Sequence, residues 1–187
     1  MKVTPQLFPE ILLIEPKIFR DRRGYFLEIF QARRYPEHGL PADFVQDNLS
    51  HSVGEVVRGL HYQLRYPQGK LIVPLTGEIW DVVVDVRRGS PTFGQWLSAT
   101  LTAEPCRQLY VPPGFAHGFA VVSYAATVLY KCTDFYHPED EYGIMWNDPD
   151  LAIPWPTAAP LLSDKDRHYP RFKELPPEQL PIYDRGT

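Results

Sequence analysis

Short apolar runs separated by prolines and glycines set the pattern of this chain. The clearest is Glu78–Arg87, where Trp80, Val82, Val84 and Val86 alternate with Asp81, Val83, Asp85 and Arg87. A period of two predicts a strand with one apolar face and one mostly polar face. Thr76-Gly77 ahead of it reads as a hairpin turn out of the run Lys70–Leu75. Further strands are predicted near Glu10–Glu15, Tyr25–Phe30, Phe44–Ser50, Val56–Gln63, Trp96–Thr102, Arg107–Val111, Phe119–Ser123 and Thr127–Tyr136. Only Gln31–His38 and the polar stretch after Ser163 carry a helical signal. About ten strands at this spacing predict an all-β jelly-roll barrel or sandwich with short peripheral helices. From Pro154 to Pro181 the prolines crowd together, so residues 154–187 are predicted to wrap the barrel.

Composition narrows the class. At 187 residues, with 44% hydrophobic and 13% aromatic positions, residues 1–187 suit a single globular domain with an ordinary core. A net charge of -4 and a pI near 5.8 argue against a nucleic-acid surface, which needs a concentrated basic face. An anionic small ligand stays open, because a few placed arginines suffice to hold one. Cys106 and Cys132 have neither metal-ligand spacing nor a disulfide framework. No run is long enough to span a membrane, and no basic segment followed by an apolar run opens the chain. A cytoplasmic setting is the default expectation.

Pro112-Pro113-Gly114-Phe115-Ala116-His117 matches the second motif of the cupin jelly rolls, a proline–glycine turn that delivers a histidine into the barrel. Metal-binding cupins add a His-x-His pair and a glutamate. Here the corresponding place reads His61-Tyr62-Gln63, and glutamine is a poor ligand for a transition metal. With Lys70 nearby opposing a cation, no metal is expected.

Other chemistry is available in the same region. Arg58-Gly59-Leu60-His61-Tyr62-Gln63, followed by Gln68-Gly69-Lys70, pairs a possible proton acceptor with a cation able to hold a developing oxyanion. Alternation puts His61 and Gln63 on one face and turns Arg58 away unless the backbone bends at Gly59. A strand histidine also serves as a hydrogen-bonded core residue, and a strand-end lysine as a solvated one. Tyr130 shares a strand face with Val128, Cys132 and Tyr136, where it either packs or donates a proton. Asp21-Arg22-Arg23-Gly24 is a charged turn: a solvated hairpin, or an arginine that grips phosphate beside Phe26 and Glu28. Gln46 and Asn48 share a face, where buried amides need partners such as sugar hydroxyls.

Several of these motifs, taken in order, resemble one family, the dTDP-4-dehydrorhamnose 3,5-epimerases. They are Asp21-x-Arg23-Gly24-x-Phe26-x-Glu28, Gln46-Asp47-Asn48, Arg58–Gln63, Gln68–Lys70, Pro112–Phe119, Tyr130-Lys131, Gly143–Pro149 and Ser163–Asp166. The resemblance runs from about Pro9 to Asp166.

It implies a cupin-type epimerase that inverts C3 and C5 of dTDP-4-dehydro-6-deoxy-D-glucose through an enolate, without a cofactor. His61 corresponds to the family's base, with Asp166, or alternatively Asp164, as its carboxylate partner. Lys70 corresponds to the enolate-stabilising cation and Tyr130 to the acid. Arg23, Phe26, Glu28, Gln46, Asn48, Arg58, Glu141 and Lys165 fall at substrate-lining places, with His117 and Tyr136 as further candidates. The resemblance also implies a homodimer whose N-terminal strand region reaches across, so that Arg23 and Phe26 serve the neighbouring site. A mono-epimerase acting at C3 or C5 alone, or a non-catalytic sugar-nucleotide binding module, are the alternatives.

Overall fold

The strand-forming runs assemble into two facing antiparallel sheets and a separate hairpin, in a computed structural model that describes residues 1–184. Among the described residues there are thirteen strands. They are β1 (Lys2–Pro5), β2 (Leu12–Glu15), β3 (Ile18–Asp21), β4 (Gly24–Leu27), β5 (Gln46–Val53), β6 (Val57–Gln63), β7 (Lys70–Thr76), β8 (Glu78–Asp85), β9 (Trp96–Thr102), β10 (Gln108–Val111), β11 (Phe115–Val121), β12 (Ala125–Cys132) and β13 (Glu141–Gly143). One sheet has the order β1-β2-β10-β7-β12-β5 and the other β13-β6-β11-β8-β9, while β3 and β4 pair only with each other. This is the jelly-roll barrel of the cupin type.

Leu13, Ile72, Leu109 and Val128 from the first sheet meet Val83, Leu101, Phe115 and Phe119 from the second in the barrel interior. The other face of each sheet is also covered. Leu12, Ile14, Leu71 and Val73 pack under a segment that carries Tyr35 and Leu40. Val82, Val84 and Val86 pack under Leu151, Ile153, Leu175 and Leu180 of the proline-rich C-terminal segment. Each buried valine contributes about 1.5–2 kcal/mol by leaving water, so this cover is part of the core.

That cover corrects the reading of Glu78–Arg87. Its mostly polar side does not meet solvent: Asp81 and Asp85 are fully buried, pointing to the barrel interior with Val83. The helical expectations are also corrected. Gln31–His38 yields only a single 3-10 turn, Pro36–His38, and the stretch after Ser163 forms turns and two short 3-10 turns, Phe172–Glu174 and Pro177–Gln179, in place of a longer helix. Pro36 and the following Gly39, at φ 85°, stop the first segment after one turn. Strands β1, β3 and β13, too short to show a period, were not anticipated. The expected extent of the domain includes residues 185–187, which lie outside the described residues.

Candidate active site

The cavity of about 590 Å³ between the two sheets begins with a local irregularity in β6. Along the β6–β11 ladder His61 pairs with His117 and Arg58 with Phe119, so one residue of β11 opposes two of β6. This bulge is made at Gly59, whose φ of 118° favours glycine, beside Gly118. A Cβ on Gly59 would stand 2.5 Å from the Gly118 Cα. The extra residue reverses the alternation, and Arg58 and His61 therefore both line the cavity. The bend left open in the sequence is present.

His61 and Asp166 are brought together across the fold. His61 Nε2 lies 2.5 Å from Asp166 Oδ1, and its Nδ1 is 3.8 Å from Glu141 Oε1. Asp166 sits in the turn after Ser163, whose Oγ accepts the Asp166 backbone N–H at 3.2 Å. Asp164 instead offers its backbone carbonyl to His168. Burial pushes the Asp166 carboxyl upward, yet the hydrogen bond and charge of His61, with Ser163 and Lys165, hold it below the ordinary range. The imidazole thus has a carboxylate partner that fixes its orientation and tautomer.

The opposite wall comes from the other sheet. Lys70, at the start of β7, and Tyr130, in β12, line the same cavity and are only partly exposed. Burial lowers the Lys70 ammonium from its usual range against the pull of Cys132, Glu141 and Asp81. Burial, then Cys132 and Glu141, raises the Tyr130 phenol against the effect of Arg58, which keeps a proton available for donation.

Around this core lie most of the expected lining residues. The Gln46 amide donates to Asn48 Oδ1 at 2.9 Å, and both border the cavity. Glu141 Oε2 accepts from Tyr136 at 2.8 Å and from Lys165 at 2.5 Å. Burial raises the Tyr136 phenol to about 12, helped by the hydrogen bond to Glu141. His117 Nε2 is 2.8 Å from Asp81 Oδ2. Among the described residues no group of three or more His, Cys, Asp or Glu could hold a metal ion.

Three expected residues are not at this cavity. Arg23 pairs with Asp21, Phe26 packs against Phe19 while 69% exposed, and Glu28 pairs with Arg34. Arg23 and Phe26 lie on the β3–β4 hairpin, with Glu28 just beyond it, and none of the three lines the cavity within this chain.

Other residues of the site were missed. Tyr169 lies edge-on to His61, with ring centroids 5.6 Å apart, and packs over Gly143. Gln68 and Leu162 line the cavity, and Asp81 sits beneath His117. Asp81 had a signal in the sequence, an acid inside a valine run; Tyr169, in an irregular polar segment, had none.

Residues 6–174 match the family model for dTDP-4-dehydrorhamnose 3,5-epimerase. The chain is 53% identical over 176 residues to the dTDP-4-dehydrorhamnose 3,5-epimerase of Pseudomonas aeruginosa, covering 93% of this chain and 97% of that protein. It superposes on the dTDP-6-deoxy-D-glucose-3,5-epimerase of Legionella pneumophila, solved in complex with dTDP-4-keto-L-rhamnose, with a TM-score of 0.94, 50% identity and 98% of each chain covered. A 4-keto-6-deoxy sugar epimerase from the novobiocin gene cluster of Streptomyces spheroides gives a TM-score of 0.93 at 38% identity, covering 98% of this chain and 94% of that one. By its sequence and its fold, this chain belongs to the dTDP-4-dehydrorhamnose 3,5-epimerase family.

Proposed function

We propose that this chain is a dTDP-4-dehydrorhamnose 3,5-epimerase, an isomerase that inverts C3 and C5 of dTDP-4-dehydro-6-deoxy-D-glucose on the route to dTDP-L-rhamnose. The observation that carries the reading is a histidine–carboxylate pair facing a lysine and a phenol across one cavity. The C4 ketone of the substrate acidifies the hydrogens at C3 and C5. His61, backed by Asp166, takes one of these protons, and Lys70 stabilises the oxyanion that forms at C4. Tyr130 returns a proton from the opposite side, and the centre inverts. No electron changes hands and no covalent enzyme intermediate is needed. The origin of His61 and Tyr130 in different sheets supports this two-sided transfer.

Substrate contacts are assigned on the same basis. Gln46, Asn48, Arg58, His117, Tyr136, Glu141 and Lys165 supply hydrogen-bonding groups around the cavity. Arg23, Phe26 and Glu28 would reach the site of a second copy in a homodimer that exchanges N-terminal strands. Support for that is the exposure of Phe19, Tyr25 and Phe26 on a hairpin that joins neither sheet of its own chain. The cytoplasm is the proposed setting, in keeping with two buried, unpaired cysteines.

Solvent deuterium incorporation into dTDP-4-dehydro-6-deoxyglucose, followed by NMR, tests the activity. Label at both C3 and C5 is expected. Label at a single carbon would make the protein a mono-epimerase, and none would leave a binding module.

A further inference from the structure

Tyr169 has no part in the roles assigned above. It does not line the cavity, yet its ring meets His61 edge-on, with centroids 5.6 Å apart and planes at 64°. That is a favoured arrangement for two aromatic rings. Room for it is made on the neighbouring strand. Gly143 of β13 stands opposite His61 of β6, and a Cβ built there would fall 2.5 Å from two atoms of the Tyr169 ring. The backbone of Gly143 lies outside the left-handed region that favours glycine, so the ring itself is what excludes a larger residue. The chain beside the ring is tied down as well, because the Pro170 carbonyl accepts the Met145 N–H at 2.9 Å. Burial, then the nearby Glu141 and Asp166, raises the Tyr169 phenol, which keeps a neutral ring beside the imidazole.

We propose that Tyr169 is a positioning residue that acts through His61, its ring fixing the plane of an imidazole that Asp166 holds at one atom. The inference rests on the reading of His61 as the base. An ionised Asp166 only accepts, so His61 Nε2 donates to it and Nδ1 carries the lone pair that takes the substrate's proton. A single hydrogen bond fixes one ring atom and leaves the ring free to rock about it. Glu141 does not stop that motion, since 3.8 Å from Nδ1 is too far for a hydrogen bond. The edge contact with Tyr169 supplies the second constraint, and with it the aim of Nδ1. Abstraction of a proton from carbon depends steeply on that aim. Gly143 is the other half of the device, the residue on β13 that lets the ring reach His61 without entering the space the substrate takes.

The test compares Tyr169→Ala, Tyr169→Phe, Gly143→Ala and the double variant Gly143→Ala/Tyr169→Ala in the whole enzyme, by steady-state turnover and by NMR of 13C-labelled histidine rings. Tyr169→Ala is expected to lower kcat on the order of 10-fold while KM stays within about twofold, because Tyr169 steers the base and does not touch the substrate. Tyr169→Phe keeps the ring and should keep the wild-type kcat. Gly143→Ala displaces the ring and should match Tyr169→Ala, and the double variant should lose no more than either alone. Wild-type kcat in Tyr169→Ala, a loss confined to KM, or losses that multiply in the double variant would overturn the proposal. The His61 ring signals need no substrate. They should carry a ring-current shift in wild type and Tyr169→Phe that vanishes in Tyr169→Ala, and identical signals in all three would also overturn it. So would the absence of any NOE between the two rings in the wild type, a result that requires no variant to fold. A wild-type enzyme that exchanges no deuterium would refute the epimerase reading, while the His61 signals separately decide whether Tyr169 holds the ring.

Discussion

Asp166 Oδ1 lies 2.5 Å from His61 Nε2 although the two residues are 105 positions apart. The contact joins β6 to a turn of the proline-rich C-terminal segment. The same segment covers the outer face of the second sheet, so closing the fold and completing the base are one event.

Removal of either partner should act on proton abstraction before it acts on the fold. For His61→Asn we expect a loss of about 10²–10⁴-fold or more in deuterium exchange, the range for a general base. Asp166→Asn should fall within the same range, because the imidazole loses the carboxylate that holds its orientation and tautomer. Circular dichroism should stay native in both, and near-normal exchange in His61→Asn would rule out the mechanism.

Tyr130→Phe separates the two half-reactions. The base and the oxyanion cation remain, so proton exchange with solvent should persist at a reduced rate. Inversion should fail, since no donor stands on the opposite face. NMR of the recovered sugar distinguishes label with retained configuration from label with inverted configuration, and efficient inversion would remove Tyr130 from its role.

Gly59→Ala tests the bulge. The new Cβ would meet the Gly118 Cα at 2.5 Å and the His117 carbonyl at 2.8 Å, with φ at 118°. Backbone strain and the forced shift together should cost roughly 2–4 kcal/mol of stability. Urea unfolding reads the loss. Turnover should fall further than stability, because Arg58 and His61 both take their direction from this residue.

Arg23→Ala addresses the proposed exchange of arms. Its side chain is exposed and, among the described residues, pairs with the neighbouring Asp21, so thermal stability should be unchanged while KM rises. Mixing Arg23→Ala with His61→Asn after co-refolding should restore turnover, because one hybrid site would carry both an intact base and an intact arm. No recovery in the mixture, with KM unaffected in Arg23→Ala alone, would place Arg23 outside the substrate site.

Acid should destabilise the protein partly through the carboxylates of the site. Asp166 and Glu141 are both pushed up by burial, but their bonds to His61 and Lys165 dominate and lower them. Each therefore adds stability that is fully present above its unfolded value near 4 and is lost as pH falls through the lower folded value. Urea midpoints are expected to hold above about pH 5 and drop below about pH 4. The drop should be smaller in Asp166→Asn.

The sequence alone determined the strands long enough to show their period, from Glu78–Asp85 to Trp96–Thr102, and with them the jelly-roll class. It also carried the chemical inventory, because His61, Lys70 and Tyr130 are local facts of motif and spacing. Only the tertiary structure decided which groups meet. Alternation along one strand could not say that Asp81 faces inward, since a polar face looks solvated until a second sheet closes over it. Nor could it show that Arg58 and His61 share a wall, which depends on one residue inserted against β11. The pairing of His61 with Asp166, and the cover of Tyr169 beside it, come from a segment without a period. Such a segment is placed by the surface it packs on, and that surface exists only once the barrel has formed.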